Sequence, residues 1–229
     1  MRLKHQRQNT SRGKVHGFVN GLHVRNDLHV ARKIWHMGAG LIVTFLYVSA
    51  VSKESFISLL SAGLALTLLV EVVRLKNPVV NSICLKVFAP LIRVNEVHHT
   101  TGVPYFAAST LISAVIFPKP VAVLALLFLT FGDPIASFFG ILFKNRSIAI
   151  YPGKSFQGTA AAFIVCALIS RIYLHSLALQ GVDLIRLTLL GGFAGALAEL
   201  IPLDIDDNFT IPLVSGFIMW IGFFSIHFI

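Results

Sequence analysis

The chain has 229 residues, 55% of them hydrophobic and only 13% charged, with 19 Lys and Arg against 10 Asp and Glu for a formal net charge of +9. Soluble domains carry about a quarter charged residues, so this balance excludes an ordinary water-soluble globule and indicates a chain whose solvent is largely lipid. The basic excess does not read as nucleic-acid binding, because it crowds ahead of the first apolar run and lacks interleaved aromatics.

A helix needs about 20 mostly apolar residues to cross a bilayer. About seven such runs are expected, near 34–51, 55–73, 104–117, 120–142, 158–179, 184–203 and 211–229, the third of them short. The expected organisation is all-α, with a basic tail over 1–30 and one polytopic helical domain over 31–229. Arg2, Lys4, Arg7, Arg12, Lys14, Arg25, Arg32 and Lys33 precede the first run, which places the N-terminus in the cytoplasm under the positive-inside rule. Arg74, Lys76, Lys86 and Arg93, then Lys144, Arg146 and Lys154, fall on the same face. The tail is expected to set topology and touch anionic lipid, and its polar, basic character argues against a cleavable leader. Residues 79–92 carry Lys86 and are too short to span, so an interfacial or re-entrant helix is expected there. Cys84 and Cys166 lie in apolar segments and are expected to be free thiols.

On this topology Glu71, Glu96, Asp133, Glu199, Asp204, Asp206 and Asp207 all fall at or near the cytoplasmic helix ends, while Glu54 and Asp183 fall at the opposite ones. A carboxylate in an apolar run costs about 2.5–3.5 kcal/mol at the bilayer centre unless it faces water or protein, which makes Asp133 a functional candidate. Pro134 removes a backbone donor, so the helix is expected to kink or open at Gly132-Asp133-Pro134 and to offer oxygens to a metal. Gly140, Lys144, Arg146, Lys154, Ser155, Gly158 and Thr159 follow, supplying positive charge and amides where the next helix begins, a setting that attracts phosphate. Gly153-Lys154-Ser155 is not a Walker A loop, since the earlier glycine and the preceding strand are missing. By itself it fits a capped basic loop as well as a phosphate loop. Asp204, Asp206, Asp207 and Asn208 offer clustered oxygens that suit Mg²⁺ completed by substrate phosphates, or are simply solvated. Glu71 with Arg74, and Arg93 with Glu96, are three apart and form either ion pairs or a polar wall of the site.

Together, Arg32-Lys33-Ile34-Trp35-His36, Glu71 with Arg74 and Asn77, Arg93 with Glu96, GDPIASFFG at 132–140, GKSFQGTAA at 153–161, and Glu199 followed by DDNFTIPLVSG at 206–216 resemble the polyprenol kinase family, which includes dolichol kinases, phytol kinases and a CTP-dependent diacylglycerol kinase. The resemblance runs from about residue 30 to the C-terminus. It implies a kinase that transfers the γ-phosphate of CTP, with Mg²⁺, to the hydroxyl of a membrane lipid at the cytoplasmic face. Asp133, Asp206 and Asp207 would hold Mg²⁺ and, with Lys154, carry the reaction. Arg32, Lys33, His36, Lys144, Arg146, Lys154, Ser155, Gly158, Thr159 and Asn208 would bind the nucleotide, and Glu71, Arg74, Asn77, Arg93 and Glu96 the substrate. Gln157 departs from the family pattern, where a Glu often precedes the glycine. The rivals are a CTP-dependent cytidylyltransferase, whose acidic and Lys-Ser elements are similar, and a transporter with an intramembrane Asp. The acceptor lipid, among polyprenol, dolichol, phytol and diacylglycerol, stays open, as does the host membrane.

Overall fold

Apolar runs that cannot hydrogen-bond to lipid must satisfy their own backbone, and helices do so within one segment. The computed structural model describes residues 29–50, 52–143 and 148–228, and they are almost entirely helical. Helix α1 spans Val30–Phe45 and continues as a π-helical turn over Leu46–Ala50. Then come α2 (Lys53–Lys76), α3 (Pro78–Val87), a 3-10 turn at Val94–Val97, and α4 (Gly102–Ile116). Helix α5 (Lys119–Leu127) passes through a π turn at Phe128–Gly132 into α6 (Asp133–Leu142). A hairpin of β1 (Ala149–Tyr151) and β2 (Lys154–Ser155) precedes α7 (Phe156–Ser176), α8 (Gly181–Leu200) and α9 (Asp207–Ser225).

Among the described residues five helices are long and apolar enough to cross a membrane: α2, the continuous α5–α6, α7, α8 and α9. The protein is an all-α polytopic membrane protein. Of the seven expected runs, the remaining two are α1, 16 residues before its π turn, and α4, 15 residues long. Helix α3, at 10 residues, is indeed too short to span. The basic tail lies outside the described residues except for its end at His29 and Val30.

Local chemistry sets the element ends. Ser52 caps α2 by accepting the Ser55 N–H at 3.2 Å, and Glu54 and Arg74 sit at the ends the helix dipole favours. Asn77 accepts the Val79 N–H at 3.0 Å and, with Pro78 behind it, starts α3. Val121–Leu126 are all buried, so α5 is the central helix, wrapped by its neighbours. Helix α2 is equally apolar but leaves Leu59, Leu66, Leu68 and Leu69 exposed, a surface suited to lipid. The small-residue stretch at 191–198 packs α8 onto α7 and the central helix. A Cβ on Gly192 would meet the Phe163 carbonyl oxygen at 2.9 Å.

The helix does not open at Asp133. With φ −62° and ψ −52° that residue stays helical, and the disturbance is taken up one turn earlier as the π turn. Pro134 lacks the N–H that would continue the π register, and the Leu129 carbonyl accepts instead from His36 Nε2 on α1 at 3.1 Å.

The segment from Phe88 to Thr101 is held from below by a fully buried arginine. Arg74 Nη1 donates to Asn81 Oδ1 and to the Glu96 carbonyl, both at 3.0 Å, and Nη2 donates to Glu71 Oε2 at 2.6 Å and the His99 carbonyl at 2.8 Å. Glu71 also accepts from Thr101 Oγ1 at 2.8 Å, and Asn81 Nδ2 donates to the Val97 carbonyl at 3.0 Å. Arg32 grips Glu96 with both arms at 2.8 and 2.9 Å and donates to the Leu91 carbonyl at 2.7 Å. Burial works against the Glu96 carboxylate, but Arg32 and the Arg93 N–H outweigh it and hold its pKa below the usual value. Glu71, Arg74 and Glu96 spend these contacts on bracing the segment, because polar groups this deep are stable only when paired with one another, whereas Asn77, grouped with them as a substrate-binding candidate, is exposed and caps α3.

Three outcomes follow from this packing. Gly192→Val should lower the detergent-solubilised melting temperature, since overpacking costs about 1–3 kcal/mol. Arg74→Met leaves Glu71 buried without its partner and should cost about 3–5 kcal/mol, with limited proteolysis opening the 88–101 segment first. For Glu96 the folded pKa is lowered, so its contribution is present above pH 4.5 and lost as pH falls through the folded value. Glu96→Gln should therefore melt below the parent at pH 7, and the gap between them should narrow on acidification below pH 4.5.

Candidate functional site

At one end of the bundle the start of α1, the braced segment, the start of α6, the hairpin and the α8–α9 connection converge. Two adjoining lobes of about 480 and about 860 Å³ open between them. Arg93, Asp133, Ser137, Lys154 and Asp207 belong to the wall that both lobes share. Of the nucleotide-binding candidates, Arg32, Lys33, His36 and Asn208 line the smaller lobe, Ser155 and Gly158 the larger one, and Lys154 both. Thr159 stands behind the larger lobe. Lys144 and Arg146 lie outside the described residues.

The hairpin brings Lys154 into the site. Pro152-Gly153 forms the turn, with Gly153 at φ +84°, a backbone state that suits glycine. Gln157 Oε1 accepts the Ile148 N–H at 3.2 Å and the Phe156 N–H donates to the Ile148 carbonyl at 2.9 Å, stapling β1 to the start of α7. Lys154 Nζ then lies 3.2 Å from Glu199 Oε1 and 3.1 Å from Asp207 Oδ2. Burial works against its ammonium, but Asp207, Glu199 and Asp133 overcome that and raise its pKa.

Glu199 belongs to the residues that carry the resemblance, but no role in the site was expected of it. It sits at the C-terminal end of α8, is 6% exposed, and accepts from Thr159 Oγ1 at 3.1 Å with the oxygen that does not face Lys154. The available signal was its place among the acids grouped at one set of helix ends; its partner, 45 positions earlier, shows only in three dimensions.

The expected phosphate cradle at Ser155–Thr159 is largely used up internally. Ser155 Oγ accepts the Gly158 N–H at 3.2 Å, so that amide is not offered to a ligand. Gly158 serves close packing: a Cβ there would meet the Ala136 carbonyl oxygen of α6 at 2.8 Å. Asp206 caps α9 by accepting the Asn208 N–H at 2.9 Å, and the Asn208 carbonyl accepts from Ser109 Oγ at 2.7 Å. Arg32 is committed to Glu96, and His36 to Leu129.

Two groups on the shared wall stand apart. Asp133 has no hydrogen bond or ion pair to any described residue, and its carboxylate faces the cavity. Arg93 makes no ion pair among the described residues, and its Nε is buried without a partner. Burial, and then Arg32 beside it, pull the Arg93 pKa below its usual value. The two attract each other across the wall, and neither makes a direct ion pair with a described residue.

Among the described residues no three His, Cys, Asp or Glu side chains gather as a metal cage. Asp133, Asp206 and Asp207 nevertheless line the same lobe and offer only oxygen. That donor set fits Mg²⁺ arriving on a polyphosphate, which binds through one or two carboxylates plus phosphate oxygens.

No family model matches the chain, and no solved structure matches it. Among proteins of known name it is similar to CTP-dependent diacylglycerol kinase 1 of Eremothecium gossypii, with 32% identity over 208 residues, 83% of this chain and 66% of that protein. The protein of the same name from Saccharomyces cerevisiae is 26% identical, over 83% of this chain and 72% of its own length. That of Schizosaccharomyces pombe is 27% identical, over 84% and 92%. With an all-α membrane fold, Asp133 and Lys154 on one cavity wall, and likeness over most of its length to three kinases of this name, the chain belongs to the polyprenol and diacylglycerol kinase family.

Proposed function

We propose that the protein is a CTP-dependent lipid kinase that moves the γ-phosphate of CTP to the hydroxyl of diacylglycerol at the cytoplasmic membrane face. The names of its relatives support CTP and diacylglycerol ahead of polyprenol, dolichol or phytol. The grouping of basic residues ahead of α1 supports the orientation.

The observation that carries the reading is the shared wall, where the open carboxylate of Asp133 stands near the cations Arg93 and Lys154. Phosphoryl transfer asks for charge neutralisation and in-line placement more than covalent chemistry. Arg93 feels Asp133, Glu96 and Asp206 but makes no direct ion pair with any described residue, and it would take one from the polyphosphate. Lys154, held by Glu199 and Asp207, presents a fixed positive charge to the transferred group. Mg²⁺, held by Asp133, Asp206 and Asp207 together with the nucleotide, would supply charge neutralisation between phosphates. The Asp133 oxygen not turned to the metal would accept the proton of the lipid hydroxyl as the hydroxyl oxygen bonds to the γ-phosphorus and CDP leaves, a role that requires a base within hydrogen-bond reach.

The test uses the purified full-length protein with Mg²⁺, CTP labelled at the γ- or α-phosphate, and a panel of lipid alcohols plus phosphatidate. Label from the γ position should appear in phosphatidate formed from diacylglycerol, with CDP as the other product. Label from the α position would mean cytidylyl transfer, and label from neither, in folded protein, would favour transport. Asp133→Asn should lower turnover by about 100-fold or more while leaving the melting temperature near that of the parent; near-normal turnover would remove Asp133 from its role.

A further inference from the structure

The two lobes differ in chemistry as well as in size. The smaller is bounded by charged and amide side chains from α1 and the α8–α9 connection. The larger is bounded on one side by Ala136 and Ile141 of α6 and on the other by Ala149 and Ile150 of β1, with Glu199 as its one charged lining residue beyond the wall it shares. A nucleotide polyphosphate matches the first, whereas the second is built for a ligand polar at one end and apolar at the other.

The rim of the larger lobe continues that character. Leu142 is 53% exposed, Ile148 67% and Ile150 47%, at the end of α6 and on the hairpin. Phe139 and Phe143 stack at 6.0 Å on the same end of α6. Exposed apolar groups in such density mark contact with lipid or a partner rather than with water. The α7–α8 seam, by contrast, is shut by close glycine packing at Gly192, so a lipid has no passage there.

Resting on the kinase reading above, we propose that the larger lobe is the acceptor site: the lipid seats its hydroxyl against Asp133 and Lys154, lays the start of its chains along the apolar side chains of α6 and β1, and leaves most of their length in the bilayer. At about 860 Å³ the lobe has the volume of a pocket for a drug-sized ligand, enough for a glycerol unit and the first part of two chains. Selection should therefore act on the hydroxyl-bearing end, with little dependence on overall chain length.

Ala149→Trp and Ile141→Trp would fill the lobe from its two sides, and Ala149 is exposed, so its substitution does not disturb the core. In mixed micelles both should raise the KM for diacylglycerol by roughly tenfold or more, leave the KM for CTP within about twofold, and retain binding of a fluorescent CTP analogue. A photoreactive diacylglycerol on the unsubstituted protein should label residues 135–143 and 148–151, with competition by unlabelled diacylglycerol but not by phosphatidylcholine. An unchanged KM for diacylglycerol in both variants, a shift confined to CTP, or specific labelling elsewhere would overturn the assignment. If the parent protein transfers no γ-phosphate to any lipid, the kinase reading fails first, and that outcome is separate from variants that fail to discriminate.

Discussion

Lys154 holds three separate segments of chain at one atom. Its ammonium reaches Glu199 at the end of α8 and Asp207 at the start of α9, while its backbone belongs to the hairpin ahead of α7. Where water is scarce, none of the three charges is stable alone, because an uncompensated buried charge costs several kcal/mol. The ends of three helices therefore have to meet, and where they meet a charged cavity forms against Asp133. The site is a consequence of how this chain pairs its charges in a lipid solvent.

The same constraint divides the cations into two kinds. Arg74 and Arg32 are spent on Glu71 and Glu96, and their bonds to backbone carbonyls brace the segment that presents Arg93. Arg93 itself stands on the wall of the cavity without an ion pair to any described residue. A braced loop carrying an unpaired cation is preorganised for an anion, since neither the loop nor the guanidinium has to be ordered when the ligand arrives. The carboxylates divide in the same way: Glu71, Glu96 and Glu199 are committed, and Asp133 is open.

The π turn before Asp133 shows how a local defect is absorbed. A proline inside a helix removes one bond, and the expected result was an opened backbone. The chain instead widens by one residue over Phe128–Gly132 and gives the freed Leu129 carbonyl to His36. That bond ties α1 to the central helix beside the site, and Asp133 keeps a helical backbone that aims it at the cavity.

Much of this was legible in one dimension. Runs of apolar residues of membrane-spanning length, a short 79–92 segment, Ser155 as a cap, and the grouping of acids and bases at one set of helix ends all follow from local sequence, because hydropathy, capping and the cost of charge in lipid act on contiguous residues. That Asp133 should face a cavity, as it does, follows from the same cost. What only the tertiary structure decided is which charged groups are partners. Of the two readings open for Glu71 and Arg74, the ion pair is the one the packing forms, Glu199 is brought to Lys154, and the Phe156 and Gly158 amides after Ser155 are paired within the protein. Pairing is settled by distances between residues tens of positions apart, and those distances exist only once the helices have packed.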